Sequence, residues 1–363
     1  MRLGVEAAVV DGVLLRGDVE VADGLIVAVG LNGGGGSGIA IPGLVDLQVN
    51  GFGGVDFAAA DSAAYLRAGE ALLECGVTAF QPTLITAPEE ELVAALAEIP
   101  RQPIGPRVIG AHLEGPFLSP LRLGAHPLAA RREPDPVLLG RLLDAGPVSE
   151  MTLAPEREGA LELIDILNAR GVVASCGHSD ATAEQAGRAF DRGAATVTHL
   201  FNAMRPLGHR DPGIAGAALA RDDVIVQLIL DGHHLAEETA RVVWRAAGGR
   251  VALVSDAIAA AGVGDGSYRL GTVDVEVRDG VARRDDGVLA GSSLTLIEAV
   301  RRLHALDVPL ADAVGAATLV PARVVRRPSL GSLRPGADAD VVVLDDALEI
   351  KTVFVGGQDL VAV

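Results

Sequence analysis

Residues 172–200 read VVASCGHSDATAEQAGRAFDRGAATVTHL, and this stretch indicates how the whole chain is built. It begins with the apolar run VVASCGH (172–178) and ends with a second run, ATVTHL (195–200). Both runs are predicted to be strands, and residues 182–192 between them are predicted to form a helix. Apolar runs that alternate with helical stretches are the pattern expected of a parallel α/β sheet.

The same alternation starts at about residue 42 and continues along most of the chain. The eight predicted strands are GLVDLQV (43–49), VTAFQPT (77–83), RVIGAHLE (107–114), MTLAPE (151–156), VVASCGH (172–178), ATVTHL (195–200), VIVQLIL (224–230) and VALVSD (251–256). Helices are predicted at 62–75, 88–98, 136–144, 158–170, 182–192 and 236–247. The first would open after Asp61 and close on Gly76, a favourable residue just beyond a helix end. Eight such units fit a (β/α)8 TIM barrel, an α/β fold, with a doubly wound open sheet as the alternative.

The two ends of the chain have a different character. Residues 1–41 read as short strands broken by turns and end in the run Gly33–Gly36, which suggests a flexible connection. The tail 336–357 also reads as strands, and we expect the two ends to pair. The predicted domains are a small β-sandwich from residues 1–41 and 333–363 and a barrel from residues 42–332. A further β-like segment, 267–285, is predicted to insert after the eighth strand.

Composition excludes several classes of function. A net charge of −18 argues against a nucleic-acid partner, because binding to phosphate backbones relies on Lys and Arg. No apolar stretch approaches the roughly 18 residues of a membrane span, and the N-terminus lacks the features of a signal peptide. The two cysteines, Cys75 and Cys176, form no disulfide framework, so we expect a cytoplasmic protein. Lys351 is the only lysine, so any chemistry relies on His, Asp, Glu and Arg.

Polar residues stand where most of the predicted strands end, and active sites of such barrels form at the carboxyl ends of the strands. These residues are Gln48, Asn50, Glu114, His178, His199, His233, His234 and Asp256. Glu114, His178 and His199 make a typical ligand set for a catalytic metal that keeps an open position. A lone histidine is more often a buried, hydrogen-bonded side chain, but three such residues at strand ends favour the metal.

Asp256, His126 and Arg210 are the other candidates for chemistry. Asp256 can take a proton from water and return it to a leaving amine, although an Asp after Ser also suits a turn or helix cap. His126 lies in the loop sequence GAHP and could polarise a substrate carbonyl. Arg210, with His209 and either His233 or His234, could form the positive cluster that a phosphate needs, or Arg210 could be a surface charge.

The chain resembles N-acetylglucosamine-6-phosphate deacetylases of the amidohydrolase superfamily. The matching stretches run in family order from residue 42 to 296: PGLVDLQVNGFGGVDF, GVTAFQPTLIT, GAHLEGPFLSPLRLGAHP, GHSDAT, THLFNAM, GIAG, LDGHH, SDAIAAAG and LAGSSLTL. The combination of HLEGPF and THLFNAM is specific to the family. The flanking segments match in character, so that the resemblance covers nearly the whole chain.

The resemblance implies a role for each candidate residue. Glu114, His178 and His199 would hold a metal, zinc or iron, while Asp256 would act as general base and acid and His126 would contact the acetyl carbonyl. Phosphate contacts would come from Arg210, His234 and backbone amides near Asn202 and Ala203. One of these phosphate-binding groups would reach across from a neighbouring subunit, which implies a homodimer.

Three positions depart from the pattern of many family members. Gln48-Val49-Asn50 stands where they have His-x-His, and neutral amides are poor ligands for zinc-like ions. We therefore predict one divalent ion per chain, zinc or alternatively iron, with Gln48 and Asn50 bonded to water or sugar. Residues 119–123 read SPLRL and are less basic than in relatives. Because His233 and His234 are adjacent, the sequence leaves open which of the two histidines binds the phosphate.

The predicted activity is hydrolysis of the acetamide of N-acetylglucosamine 6-phosphate, giving glucosamine 6-phosphate and acetate, in amino-sugar catabolism. A deacetylase of another N-acetylhexosamine phosphate, such as N-acetylgalactosamine 6-phosphate, is the nearest alternative. A cyclic-amide hydrolase or deaminase is disfavoured because His-x-His and a barrel lysine are missing. A non-catalytic sugar-phosphate sensor is disfavoured because Asp256 and all three metal ligands are present.

Overall fold

The computed structural model describes residues 1–32 and 36–362 of the 363-residue chain. The described strands are β1 Ala7–Val10, β2 Val13–Arg16, β3 Asp18–Ala22, β4 Leu25–Leu31, β5 Ile39–Pro42, β6 Leu44–Val49, β7 Gly51–Phe52, β8 Val55–Asp56, β9 Val77–Ile85, β10 Arg107–Val108, β11 Ala111–Glu114, β12 Val148–Leu153, β13 Val173–Cys176, β14 Thr196–Val197, β15 Ile225–Leu228, β16 Val251–Leu253, β17 Gly266–Leu270, β18 Val273–Arg278, β19 Val281–Arg283, β20 Val341–Leu344, β21 Ile350–Val355 and β22 Gln358–Ala362. The described α-helices are α1 Ser62–Glu74, α2 Glu89–Glu98, α3 Pro136–Ala145, α4 Ala160–Ala169, α5 Ala183–Asp191, α6 Gly213–Leu219, α7 Glu237–Ala247, α8 Leu296–Ala305, α9 Leu310–Ala316 and α10 Leu319–Val324. Short 3₁₀ turns cover Phe57–Ala59, Leu128–Ala130 and Gly248–Arg250.

Eight parallel strands form a nearly closed barrel. Their order is β6, β9, β11, β12, β13, β14, β15 and β16. Between the last strand and the first, the ring is completed by a parallel bridge from Val49 to Ala257 and by a 3.2 Å bond from Ser255 Oγ to the Gln48 carbonyl. The predicted (β/α)8 barrel is confirmed, and because the last strand returns to the first, the open-sheet alternative is wrong.

All eight predicted strands are present, and five of them end two or three residues before their predicted ends; two differ further, one by a break and one in where it begins. The run 107–114 is split into β10 and β11 around Gly110, whose φ is +131°. The fourth strand begins at Val148, three residues before the predicted start at 151, because Ser149 and Glu150 are polar but belong to the strand. Glu150 is fully buried and accepts a 2.7 Å bond from Gln227 Nε2, so that a polar residue is accommodated inside the barrel.

The predicted helices occur within two residues of their expected bounds. Asp61 caps α1 by accepting the Ala64 N–H at 2.8 Å, and Gly76 follows that helix with φ +78°. Four further helices, α6 and α8 to α10, were not predicted. The sequence of α6, GIAGAAL, contains no polar residue, so it lacks the polar face by which an amphipathic helix is recognised.

The chain termini pair in one sheet of order β2-β1-β5-β20-β21-β22, and the β3–β4 hairpin shares a second apolar core with this sheet. The segment after strand eight forms the antiparallel sheet β17–β19, as predicted. Leu270 of this sheet packs with Ile85 and Ile258 at the mouth of the barrel. The domain boundaries at 41/42 and 332/333 stay predictions, and the flexible connection Gly33–Gly36 falls mainly outside the described residues. No described helix combines the length and hydropathy needed to cross a membrane.

Candidate active site

Glu114, His178 and His199 converge at the carboxyl ends of three barrel strands. Glu114 is the last residue of β11, and each histidine lies two residues beyond its strand. Glu114 Oε1 is 3.0 Å from His178 Nε2 and 2.9 Å from His199 Nε2, and the two Nε2 atoms are 3.0 Å apart. All three side chains are buried. The donor atoms therefore face one small volume that a single cation could fill.

The position of the hydrogen on the His178 ring is compatible with a bound cation. His178 Nδ1 lies 2.9 Å from the carbonyl oxygen of Arg122, which can only accept, so Nδ1 carries the hydrogen. Burial, assisted by the neighbouring His126, lowers the pKa of His178 to about 4, so the ring is neutral. Its Nε2 then presents a lone pair towards His199 and Glu114, which is how a metal-binding imidazole is normally held.

Glu114 and His199 are electrostatically matched. Burial opposes ionisation of Glu114, but the three surrounding histidines, His178 foremost, hold the pKa of Glu114 well below its usual range. Burial also opposes the charged form of His199, and the hydrogen bond and charge of Glu114 outweigh it, so the pKa of His199 is raised. The cluster thus contains a carboxylate that stabilises positive charge at the point where the three groups meet.

Three of the candidate metal-binding and catalytic residues have left-handed backbone conformations: His178 with φ +47°, His199 with φ +31° and Asp256 with φ +50°. Non-glycine residues in this region cost on the order of 1–3 kcal/mol each and persist where the surroundings hold them. Each follows an apolar barrel strand closely, so the conformation occurs where strand ends become the floor of the cavity. Such strain is common at functional sites.

Gln48 and Asn50 bind the acidic residues of the site. Gln48 Nε2 donates to Glu114 Oε1 at 3.2 Å, and Asn50 Nδ2 donates to Asp256 Oδ1 at 2.7 Å. Both carbonyl oxygens, Gln48 Oε1 and Asn50 Oδ1, are buried without a hydrogen-bond partner among the described residues. Asn50 lines the cavity, whereas Gln48 does not. Their predicted bonding to water or sugar stays a prediction; the contacts in the structure are to Glu114 and Asp256.

Asp256 lies beside this cluster and is 7% exposed. Burial, reinforced by the charge of Glu114, raises the pKa of Asp256 to about 7. A carboxyl group that titrates near neutrality can both accept and release a proton during one reaction cycle. The position and environment of Asp256 therefore suit the proton-transfer role expected from the sequence.

His126 extends from its loop into the same cavity. Its Nε2 is 3.5 Å from Glu114 Oε2, and its ring centre is 4.3 Å from that of His178. On the other side, Nδ1 lies 3.0 Å from Thr86 Oγ1 and accepts the Thr86 backbone N–H at 3.3 Å. Thr86 was not singled out in the sequence, although it is a polar residue directly after strand β9. Thr86 Oγ1 donates to the Glu114 carbonyl at 3.1 Å, so Thr86 joins the His126 ring to the strand end that carries Glu114.

The doubled histidine has one member in the cavity. His234 lines the cavity and its Nδ1 lies 2.7 Å from Asp231 Oδ2, whereas His233 is exposed. Asp231, which the sequence analysis also overlooked, accepts the backbone N–H groups of both histidines. Arg210 and His209 are exposed, and neither lines the cavity of its own chain.

The cavity has a volume of about 220 Å³ and joins these groups. Its polar and charged walls come from Asn50, Glu114, His126, His178, His199, Asn202, His234 and Asp256. The remaining walls are Ile85, Gly124, Ala125, Ala203, Ile229, Leu270, Val288, Leu289 and Gly291. A small polar molecule can thus contact the Glu–His–His cluster, Asp256, His126 and His234 at once.

A (β/α)8 barrel with a buried Glu–His–His cluster and an adjacent carboxyl group at its strand ends is typical of metal-dependent hydrolases. The model of the Amidohydrolase family matches residues 39–360. The chain belongs to the amidohydrolase family.

The relatives support the family resemblance predicted from the motifs. The N-acetylglucosamine-6-phosphate deacetylase of Vibrio furnissii is 37% identical over 329 residues, covering 88% of this chain and 82% of the relative. The N-acetylgalactosamine-6-phosphate deacetylase of Escherichia coli O157:H7 is 38% identical over 330 residues, covering 87% and 86%. The structure of a mutant N-acetyl-D-glucosamine-6-phosphate deacetylase from Mycobacterium smegmatis, in complex with N-acetyl-D-glucosamine-6-phosphate, superposes with a TM-score of 0.96. It is 39% identical and covers 100% of this chain and 99% of its own.

Proposed function

We propose that this enzyme hydrolyses the acetamide of N-acetylglucosamine 6-phosphate, giving glucosamine 6-phosphate and acetate in amino-sugar catabolism. The observation that carries the proposal is the cavity in which the Glu114–His178–His199 cluster, Asp256 and His126 meet. The names of the relatives supply the substrate class. This arrangement supports the assignment of a cation site, a proton carrier and an oxyanion donor within one small volume.

Glu114, His178 and His199 would hold one divalent metal per chain, zinc or alternatively iron. Such an ion, when bound, supplies Lewis acidity and favours the ionisation of water. Gln48 fits a single ion, because its amide donates to Glu114 and leaves no imidazole for a second. Asn50 is likewise engaged with Asp256.

Asp256 carries the proton in both steps of the proposed mechanism. Asn50 occupies Oδ1 of Asp256, so Oδ2 receives the proton of the attacking water. The oxygen of that water bonds to the acetyl carbon. Asp256 then gives the proton to the glucosamine nitrogen, the carbon–nitrogen bond breaks, and acetate and the free amine leave.

His126 stabilises the charge that develops on the acetyl oxygen. In the tautomer in which Nδ1 accepts the Thr86 N–H, the hydrogen of His126 is on Nε2 and can be donated into the cavity. The negative charge grows only as the tetrahedral intermediate forms, so this hydrogen bond favours the transition state over the substrate.

His234 and the backbone near Asn202 and Ala203 would bind the 6-phosphate, with Arg210 of the partner subunit as the second side chain. Arg210 is exposed and does not line the cavity of its own chain, as expected of a residue that serves a neighbouring active site. The proposal therefore includes a homodimer, because one chain alone would not complete the phosphate site. A molar mass of one chain in solution at micromolar concentration would contradict it.

We also place the enzyme in the cytoplasm. Cys75 and Cys176 are both free, and unpaired thiols are typical of proteins in reducing compartments. Fractionation of the source cells, with detection of the chain by antibody, tests this location.

An acetate-release assay across N-acetylated hexosamines tests the proposed reaction. Metal-loaded enzyme is offered N-acetylglucosamine and N-acetylgalactosamine, each with and without a 6-phosphate. The proposal predicts the highest kcat/KM for N-acetylglucosamine 6-phosphate. A higher kcat/KM for N-acetylgalactosamine 6-phosphate, the substrate named for one relative, would instead make the galactose epimer the assigned substrate. Binding of these sugars without any acetate would instead indicate a non-catalytic sensor.

A further inference from the structure

The cavity has little positive charge with which to hold a phosphate. Among the residues that line it, as far as the chain is described, there is no Lys or Arg. His126, His178 and His199 each face Glu114. His234 is the lining histidine that does not face Glu114, and in its protonated form it can donate to an anionic ligand.

Asp231 determines where the hydrogen of His234 lies. Asp231 Oδ1 accepts the backbone N–H groups of His233 and His234, both at 2.8 Å, while Oδ2 is 2.7 Å from His234 Nδ1. Burial alone would raise the pKa of Asp231, but the hydrogen bonds and charge of His234 lower it well below its usual range. An ionised carboxylate can only accept, so Nδ1 of His234 carries a hydrogen. A neutral His234 would then present a lone pair on Nε2, which repels the oxygen of a phosphate.

We propose that Asp231 is a positioning residue that couples phosphate binding to protonation, so that His234 holds the ligand only as an imidazolium. The inference rests on the proposed phosphorylated substrate. One proton from solvent joins Nε2 of His234 and is donated to a phosphate oxygen, while the Nδ1 hydrogen stays with Asp231. No covalent bond of the ligand changes.

The other charged groups around His234 do not replace Asp231. Arg302 pairs with Glu298 and lies next to Gly232 of the same loop. A Cβ atom added at Gly232 would be 3.0 Å from Arg302 Nη1. His233 is an exposed neighbour. Across the cavity are Glu114, His126, His178, His199 and Asp256. Within the described part of the chain, none of these forms a hydrogen bond with the His234 ring, whose partner is Asp231.

Replacing Asp231 by Asn gives a distinctive prediction. The Asn oxygen can keep both backbone contacts, but the side-chain NH₂ would donate to His234 Nδ1 and displace its hydrogen to Nε2. A neutral His234 could then donate to phosphate. Asp231→Asn should therefore bind the ligand without taking up a proton, whereas a purely structural role of Asp231 would not change proton uptake in this way.

Calorimetry measures this uptake directly. Full-length, metal-loaded protein carrying Asp256→Asn is titrated with N-acetylglucosamine 6-phosphate in buffers of different ionisation enthalpy, from about pH 7 to about pH 9.5. With Asp231 present, we expect uptake to rise towards one proton per site and Kd to weaken by up to about tenfold per pH unit. Adding Asp231→Asn should give uptake near zero and a Kd that changes little with pH. Asp265→Asn is the matched control, because Asp265 also accepts two backbone N–H groups but bonds to no histidine among the described residues, and it should behave like the parent.

The outcomes separate this inference from the proposed function. Tight binding with no proton uptake and a constant Kd in the Asp231 parent would overturn the inference and leave the phosphate site intact. Equal affinity for N-acetylglucosamine with and without phosphate would overturn the phosphorylated substrate itself. Should Asp231→Asn fail to fold, His234→Asn replaces it, since its amide donates without titrating; persistent proton uptake in that variant would also contradict the inference.

Discussion

Asp256→Asn exchanges one oxygen of the proposed proton carrier for NH₂ and preserves the shape of the side chain. Asn50 Nδ2, at 2.7 Å from Oδ1, can still donate to the new residue, so the geometry of the cavity should survive. What is lost is the ability of Oδ2 to accept a proton from water and return it to nitrogen. Proton transfer by a positioned group contributes roughly 10²–10⁴-fold. Because Asp256 serves both transfers, we expect kcat to fall by about 10⁴-fold, or about 5.4 kcal/mol.

Steady-state acetate release, metal content and substrate affinity are measured on the same preparation of Asp256→Asn. We expect unchanged metal content, a similar Kd for N-acetylglucosamine 6-phosphate and very low turnover. Asp265→Asn, which removes a carboxylate from the β17–β19 region, should keep the parent rate. If Asp256→Asn retained more than about a tenth of the parent kcat, a loss well below the range for such groups, Asp256 would not be the proton carrier.

Three further predictions concern the neighbouring residues. Arg210→Ala should raise KM for phosphorylated substrate, because a charge-assisted contact contributes about 1.5–3 kcal/mol, and an unchanged preference for phosphorylated over unphosphorylated sugar would make Arg210 a surface charge. Asn50→Leu removes the donor to Asp256 Oδ1 and should lower kcat by about 10- to 100-fold with metal content retained; full activity would show that this contact does not position Asp256. Elemental analysis of fully active protein should find one metal equivalent per chain, with activity lost on chelation, and two equivalents would mean that Gln48, Asn50 or another residue completes a second site.

The barrel was predictable because its strands are short apolar runs with punctuated helices between them. The polar residues at their ends were equally visible, and Glu114, His178 and His199 do converge. The start of β12 was hidden because Glu150 is a charged residue type inside the barrel, bonded to Gln227 from a strand far along the chain. No local pattern reports such a partner.

The supporting contacts of the site were beyond the sequence for a similar reason. Asp231 looks like an ordinary turn residue in LDGHH, and Thr86 looks like the end of a strand. Their roles follow from which ring nitrogen they face, which only the folded chain shows. Arg210 is a different case, since the phosphate that we propose it binds lies in the cavity of another copy of the chain.

The most direct test of the account compares two substrates of the metal-loaded enzyme: N-acetylglucosamine 6-phosphate and N-acetylglucosamine. Two charge-assisted contacts to the phosphate, each about 1.5–3 kcal/mol, predict a kcat/KM at least about 10²-fold higher for the phosphorylated sugar. Acetate and glucosamine 6-phosphate should appear in equal amounts. Equal kcat/KM values for the two sugars, or no acetate from either, would contradict the central claim that this cavity deacetylates a phosphorylated amino sugar.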